Sequence, residues 1–198
     1  MVHKSELQDL NLTTGQMNLV FRGRMLWRDL ATWLATYMFS VSGGYGNQDA
    51  ISERLYRLPL DYGNVMKLFF GDKLSEHYIN LLSIYIVVLQ SLFLAMIKGD
   101  ASAVNDYAKR LYQNIDQMSA FLAQINPFWQ QDVWSSLLYN INGLAIGFAT
   151  TLLTRDFQRN VDIYDRLLST SSVIGDYFTE GIFNYLNSAG GAVQPKKC

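Results

Sequence analysis

The stretch LLSIYIVVLQSLFLAMI, residues 81–97, decides the fold class, because it could be a membrane span or the core helix of a helical bundle. It lies within an uncharged run, 78–97, that is as long as a minimal transmembrane helix. On a helical wheel, the polar residues of this region and the charges that flank it share one narrow sector, which Val87 and Leu94 interrupt. The members of this sector are Asp72, Lys73, Glu76, Asn80, Ser83, Gln90, Ser91 and Lys98. A helix surrounded by lipid has no reason to align these residues, so the pattern predicts a buried helix with one polar edge.

The composition limits the classes of function. The chain has 198 residues, of which 17% are charged, and its net charge is −1. This balance gives no general attraction to nucleic acid, so no nucleic-acid partner is predicted. The only cysteine is Cys198, which excludes a disulfide framework or a cysteine-based metal site within one chain. The N-terminal residues 1–16 are polar and lack the apolar core of a signal peptide, so we expect a cytoplasmic protein.

Helical spacing continues along most of the chain, and only three prolines occur. The sequence therefore predicts an all-α, up-and-down antiparallel helix bundle with four to five long helices and two short ones. The bundle domain covers 16–187, between a flexible N-terminus, 1–15, and a flexible C-terminal tail, 188–198. The predicted helices are 16–42, 48–57, 60–70, 72–98, 100–124, 127–154 and 156–187. Pro59 is predicted to separate the two short helices.

The fourth long helix has a second unusual pattern. Residues 133–154 carry no charge, and small or polar residues share one side of the helix, with Gly143 and Gly147 in a GxxxG arrangement. This side is either an edge that faces solvent or a seam for close helix packing. Contact of the segments 25–42, 78–97 and 133–154 with lipid stays open, so membrane association is not excluded.

The sequence lacks the usual motifs of catalysis and metal binding. It has only two histidines, no HExxH and no Glu-x-x-His, and the GGYG at 43–46 has no following Lys-Ser/Thr. Asp116 projects away from the apolar face of its helix, and local ion pairs with Arg159 and Arg166 explain Asp162 and Asp165. We therefore predict no catalytic residue, no metal and no cofactor, although Asp176 and Glu180 could form a carboxylate pair.

Aromatic residues are abundant, with 12 Tyr, 11 Phe and 4 Trp. Packing in the core explains them most simply. An interior apolar pocket for a small hydrophobic ligand is the alternative that the same residues allow.

An ordered set of short motifs resembles a family of small all-helical proteins from Bacillus-like and Clostridium-like bacteria, of unestablished function, some of which carry the label acetylglutamate kinase. The resemblance covers about residues 20–186 and is carried by LWRDLATW (26–33), RLYRLPLDYG (54–63), FFGDK (69–73), LLSIYI (81–86), LYQNIDQMSAFLAQINPFW (111–129), LLYN (137–140), IYDR (163–166) and GDYFTEGI (175–182). An amino-acid kinase needs an α/β sheet and a glycine-rich phosphate site, and this sequence predicts neither.

The resemblance also implies an interior site that this chain has lost. The family pattern reads LW-x-x-His, LL-x-x-His and LY-x-His in three helices, and the matching residues here are Leu30, Tyr85 and Ile141. Leu168 stands where the family has an acid, while Asp116 and Asp165 match. These six residues are the pocket candidates. Since the side chains that replace the three imidazoles cannot substitute for them at a metal, the resemblance implies a degenerate site filled with hydrocarbon.

These observations favour a non-catalytic structural or interaction protein that could form a homo-oligomer. The alternative is a bundle that binds a small apolar molecule, a metal or a cofactor in an interior pocket. Less favoured alternatives are an enzyme that uses Asp116, Asp165, Tyr85 or Tyr139, and a membrane-associated bundle.

Overall fold

The structure is a computed structural model, and it describes residues 13–190 of the chain. The described residues form five helices and no strand, which confirms the all-α class. The helices are α1 (Thr14–Gly43), α2 (Gln48–Lys98), α3 (Ala101–Ile125), α4 (Gln131–Leu153) and α5 (Phe157–Gly190). The predictions for 1–12 and 191–198 lie outside the described residues. At Thr13, a capping box with Gln16 starts α1 slightly earlier than predicted.

The chain reverses direction inside α2, at Gly71. This residue has φ 77° and ψ 177°, a conformation that is essentially restricted to glycine. The reversal creates a first arm, 48–70, and a second arm, 72–98, that lie antiparallel. Gln90 Nε2 donates a hydrogen bond to Ser52 Oγ at 3.2 Å and so joins the two arms. The predicted start of a long helix at Asp72 agrees with this reversal.

The predicted break at Pro59 is wrong, because the first arm continues through this proline. A proline inside a helix removes one backbone hydrogen bond and favours a kink. Here Leu55, Leu58 and Met66, on both sides of Pro59, are 0% exposed. Their packing holds the arm in place, so the two predicted short helices form one helical arm.

The helical segments alternate in direction, as expected for an up-and-down bundle. α1 packs antiparallel to α5 and to the first arm of α2, while α3 and α4 form an antiparallel hairpin. The ring of Trp27 in α1 lies 6.3 Å from that of Trp134 in α4, across the middle of the bundle. All five helices contribute buried residues to this core.

The predicted polar edge of the second arm is exposed or half-buried in the structure, with one exception. Glu76 and Asn80 are exposed, and Val87 and Leu94 share their face with 46% and 36% exposure. Gln90 is the exception, because it is buried at 5% exposure against the first arm.

The two glycines of the GxxxG pattern in α4 do not mediate close packing. A Cβ atom at Gly143 would meet no atom within 4 Å, and one at Gly147 would lie 3.5 Å from Ile163. The pattern therefore marks an exposed edge. Close packing occurs instead where α1 meets α5, since a Cβ atom at Gly175 would lie 2.7 Å from the backbone nitrogen of Arg24.

Two helices in the described part of the chain are long and apolar enough to cross a bilayer. They are α2 and α4, with mean hydropathy of 2.1 and 1.3 over their most apolar windows, which are 56% and 50% buried in the bundle. The candidate segment in α1, 25–42, does not meet this criterion. Mostly buried core helices of soluble proteins have the same length and composition.

Candidate functional site

Three of the six pocket candidates meet in the interior. Leu30 from α1, Tyr85 from the second arm of α2 and Ile141 from α4 line one enclosed cavity, together with Leu167 of α5. The cavity volume is about 20 Å³, which is room for about one water molecule. The three positions that the resemblance brings together are therefore neighbours in the fold.

The lining of this cavity is almost entirely hydrocarbon. Among the residues that line it, only Trp27 and Tyr85 have a side-chain nitrogen or oxygen. Burial raises the pKa of Tyr85, so its phenol is neutral at physiological pH and cannot act there as an anionic ligand or base. Within residues 13–190, no group of three or more His, Cys, Asp or Glu side chains could hold a metal ion. The interior cavity offers packing space and little chemistry.

The other three candidates lie away from this cavity, which corrects their grouping. Asp116 is exposed on α3 and accepts a short hydrogen bond from the hydroxyl of Tyr139. That bond raises the pKa of Tyr139. Asp165 is exposed on α5, and Leu168 is half-buried, with its backbone carbonyl accepting a hydrogen bond from Arg28 at 3.2 Å. Asp116 therefore lies on α3, whereas Asp165 and Leu168 lie one turn apart on α5.

The predictions for two other groups of acidic residues also differ from what the structure shows. These are the ion pairs of Asp162 and Asp165, and the possible carboxylate pair of Asp176 and Glu180. Asp162 and Asp165 make no ion pair with any described residue. Asp176 binds Arg24 across the α1–α5 interface, with Oδ1 2.5 Å from Nε and Oδ2 2.8 Å from Nη2. This hydrogen-bonded contact raises the pKa of Arg24. Asp176 is thus paired with a cation rather than with Glu180.

An aromatic cluster fills one part of the core, as the composition predicted. Its central rings are Trp27, Tyr62, Tyr78, Trp129 and Trp134, and each ring lies within 6.3 Å of the centroid of another. The cluster continues through a stacked contact of Trp129 with Phe178 at 5.3 Å. Residues from α1, α2, α4, α5 and the α3–α4 connection therefore meet in one aromatic core.

Sequence analysis missed the unpaired polar atoms of this cluster. The three indole N–H groups and the two phenol hydroxyls of its central rings are buried without a hydrogen-bond partner among the described residues. Asn142, 0% exposed in α4, likewise leaves both amide atoms unpaired within the described part of the chain. A buried polar group without a partner costs about 1–3 kcal/mol, and ordered water is a common partner in such places. No sequence signal separates a paired from an unpaired indole.

An exposed surface with apolar residues lies on the second arm of α2. We define the α2 stripe as Asn80, Ile84, Val87, Ser91 and Leu94, which share one outward face. Its three apolar residues, Ile84, Val87 and Leu94, are 40%, 46% and 36% exposed. No charged residue occurs between His77 and Lys98, so this face is uncharged over about 30 Å of helix.

A groove lies on another surface of the bundle. It has a volume of about 670 Å³ and lies between the start of α1, the first arm of α2 and the end of α5. Leu19, Val65, Phe69 and Leu186 supply apolar walls, and Arg22 is the charged residue in its lining.

Comparison with known proteins adds no relative: no family model, no curated protein and no solved structure matches this chain. The resemblance to the bacterial helical family therefore stays a prediction.

Proposed function

We propose that this protein is a non-catalytic interaction protein that associates with itself through an exposed helix face. The observation that carries the proposal is the α2 stripe, where Ile84, Val87 and Leu94 are exposed on a face without charge. A surface of this kind, bordered by polar residues, is typical of a protein–protein contact.

The interior supports the same proposal. The cavity of about 20 Å³ is lined by hydrocarbon, and a bound small molecule would require the core side chains to move. Within residues 13–188, no Asp, Glu, Lys, Arg or His side chain is buried.

The proposal is tested by the mass of the full-length protein in solution. Sedimentation velocity is measured from about 1 µM to about 1 mM, the range of weak interfaces. The Cys198→Ser variant is used, so that a disulfide through the single cysteine cannot produce dimers. We expect the mass to rise reversibly from monomer to dimer, and a monomer at every concentration would contradict the proposal.

A second candidate function is the binding of an amphipathic small molecule in the surface groove. Its volume of about 670 Å³ lies within the range of ligand pockets. The apolar walls and Arg22 suit a molecule with a hydrocarbon part and an acidic group. Native mass spectrometry of the purified protein with and without added decanoate tests this candidate, and an unchanged mass would argue against it.

A further inference from the structure

We propose that two copies of this chain pair antiparallel through their α2 stripes, around a two-fold axis between Val87 and Ser91. This inference rests on the proposed function, because it specifies the surface and the orientation of the self-association. The occupant of the exposed stripe is thus a second copy of the same surface.

The first argument is the spacing of the exposed residues. Asn80, Ile84, Val87, Ser91 and Leu94 follow one another at alternating steps of four and three residues. This is the a/d spacing of a coiled-coil seam, which brings side chains of one helix into the gaps of another. In most bundles such a seam faces the core, whereas here it lies on the outer face of the second arm.

The second argument is that burial of the stripe leaves few polar groups without a partner. Ser91, within the stripe, donates its hydroxyl hydrogen to the carbonyl of Val87 at 2.8 Å. Ser83, beside it, donates to the carbonyl of Ile79 at 2.7 Å. Since both hydroxyl donors are already satisfied by the helix itself, a dry contact does not cost them a hydrogen bond.

The third argument, from charge, selects the antiparallel orientation. Glu76 lies at one end of the stripe and Lys98 at the other, and both are exposed. Antiparallel pairing places Lys98 of the second copy opposite Asn80 and within one helical turn of Glu76, and the two-fold axis repeats this contact. Parallel pairing would instead place each lysine against the other lysine and each glutamate against the other glutamate.

The same register determines the apolar contacts. Ile84 meets Leu94 of the second copy, and Val87 meets Ser91 of the second copy, each of them twice. From Glu76 to Lys98 the seam is about 33 Å long, at 1.5 Å per residue. One helix face of this length buries less than the roughly 1,200 Å² of a standard interface. The dimer should therefore be weak and reversible, with a dissociation constant of about 1–100 µM.

Disulfide trapping tests the register in the Cys198→Ser background. The variants Ile84→Cys and Leu94→Cys are oxidised separately and as a mixture. We expect the mixed disulfide to form at least about tenfold faster than either self-pair, because only those two positions come within disulfide distance. Fast self-pairing of each variant would show a parallel dimer and overturn the proposal. Leu68→Cys, at a position that is 77% exposed on the first arm, reports random collisions.

Charge and surface variants test the contact without cross-linking. Val87→Lys and Leu94→Lys should each weaken the dimer at least about tenfold, with thermal unfolding as the check that the bundle still folds. Glu76→Lys and Lys98→Glu should each weaken it several-fold, and the double variant should restore most of the affinity. An unchanged dimer in Val87→Lys and Leu94→Lys would overturn this inference while the proposed self-association stands.

A wild-type chain that never dimerises would remove the proposed function and this inference together. The remaining occupant of the stripe is a lipid surface, which is tested with vesicles of phosphatidylcholine and phosphatidylglycerol. Sedimentation of the wild type, but not of Val87→Lys, with these vesicles would assign the stripe to a membrane and contradict the pairing of two copies.

Discussion

Gly175 in α5 lies directly against the backbone of Gly23 in α1. A Cβ atom at Gly175 would be 2.7 Å from the carbonyl carbon of Gly23 and 2.7 Å from the nitrogen of Arg24. Neither backbone atom can rotate away as a side chain could. The two helices therefore approach as closely as their backbones allow, and the Arg24–Asp176 ion pair lies beside this contact.

The first prediction is that Gly175→Ala destabilises the protein. The extra methyl group must separate α1 from α5, and overpacking of this kind typically costs about 1–3 kcal/mol. Urea denaturation followed by circular dichroism measures this loss. The matched control is Gly143→Ala, at a helical glycine with nothing within 4 Å, which should gain about 0.5–1 kcal/mol from helix propensity. Equal stabilities of the two variants would show that α1 and α5 are further apart than the structure has them.

The second prediction concerns the reversal of α2 at Gly71. Its φ of 77° and ψ of 177° are not accessible to a residue with a Cβ atom without strain. Gly71→Ala should therefore lower the free energy of unfolding by about 1–3 kcal/mol, although a Cβ atom there would meet no atom within 4 Å. The cost is conformational and not steric, so Gly71→Asn should lose about as much, because asparagine tolerates positive φ only in the left-handed helical region, far from a ψ of 177°. If Gly71→Ala is as stable as the wild type, the two arms do not fold back at this residue.

The sequence alone allowed the fold class and most helix ends to be predicted, because caps and periodicity are local. Asp100, which caps α3 through Ala103, and Gly99, which ends α2 with φ 67°, act within one helical turn. The break at Pro59 was predicted wrongly because its neighbours along the chain are buried in the core. Their packing outweighs the local cost of a proline inside a helix. Gln90 was misjudged for a related reason: a helical wheel does not show that the first arm returns to cover that side.

The candidate site was predictable only in part. Leu30, Tyr85 and Ile141, which the resemblance grouped, line one cavity, since they lie on the inner faces of three helices. Asp116 and Asp165 are exposed. The position of Asp116, away from the apolar face of its helix, had already predicted that its side chain is exposed to solvent. The unpaired indole and phenol groups depend on distances between five elements, and no local pattern encodes these distances.

The third prediction tests whether the interior cavity is apolar. Leu30→Ala removes a side chain that is 3% exposed and should lower the free energy of unfolding by about 2–5 kcal/mol. The enlarged cavity should bind benzene or xenon, which raises the melting temperature of the variant but not that of the wild type. Leu60→Ala, at a position that is 54% exposed, is the control and should change stability by about 0.5 kcal/mol or less. A variant that fails to bind either probe would indicate a hydrated, polar interior.

The fourth prediction uses the unpaired phenol hydroxyls. Tyr78 is 0% exposed and its hydroxyl has no partner among the described residues, so Tyr78→Phe should be neutral or raise stability by up to about 1 kcal/mol. The hydroxyl of Tyr177, by contrast, accepts a hydrogen bond from the backbone N–H of Gln130 at 2.7 Å. Tyr177→Phe should therefore cost about 1 kcal/mol in urea denaturation. A larger loss in Tyr78→Phe than in Tyr177→Phe would show that ordered water is bound to the Tyr78 hydroxyl.

The last prediction is the response to alkaline pH. Burial raises the pKa of Tyr62, Tyr78 and Tyr85 above the ordinary value of 10.0, so the folded chain keeps protons that the unfolded chain releases near pH 10. Their contribution to stability is fully present below pH 10 and is lost as the pH rises above it towards their raised pKa values. Because each group contributes about 1.4 kcal/mol per pH unit in that window, the three together lower the free energy of unfolding by up to about 4 kcal/mol per pH unit.

Urea denaturation from about pH 8 to about pH 11.5 measures this slope. Tyr78→Phe should reduce the part of the slope that belongs to these three groups by about one third, because one of three buried phenols is removed. Tyr45→Phe, at a side chain that is 74% exposed, should leave the slope unchanged. An identical slope in both variants would mean that the Tyr78 phenol reaches solvent, which is incompatible with an aromatic core closed around Trp27, Tyr62 and Trp134.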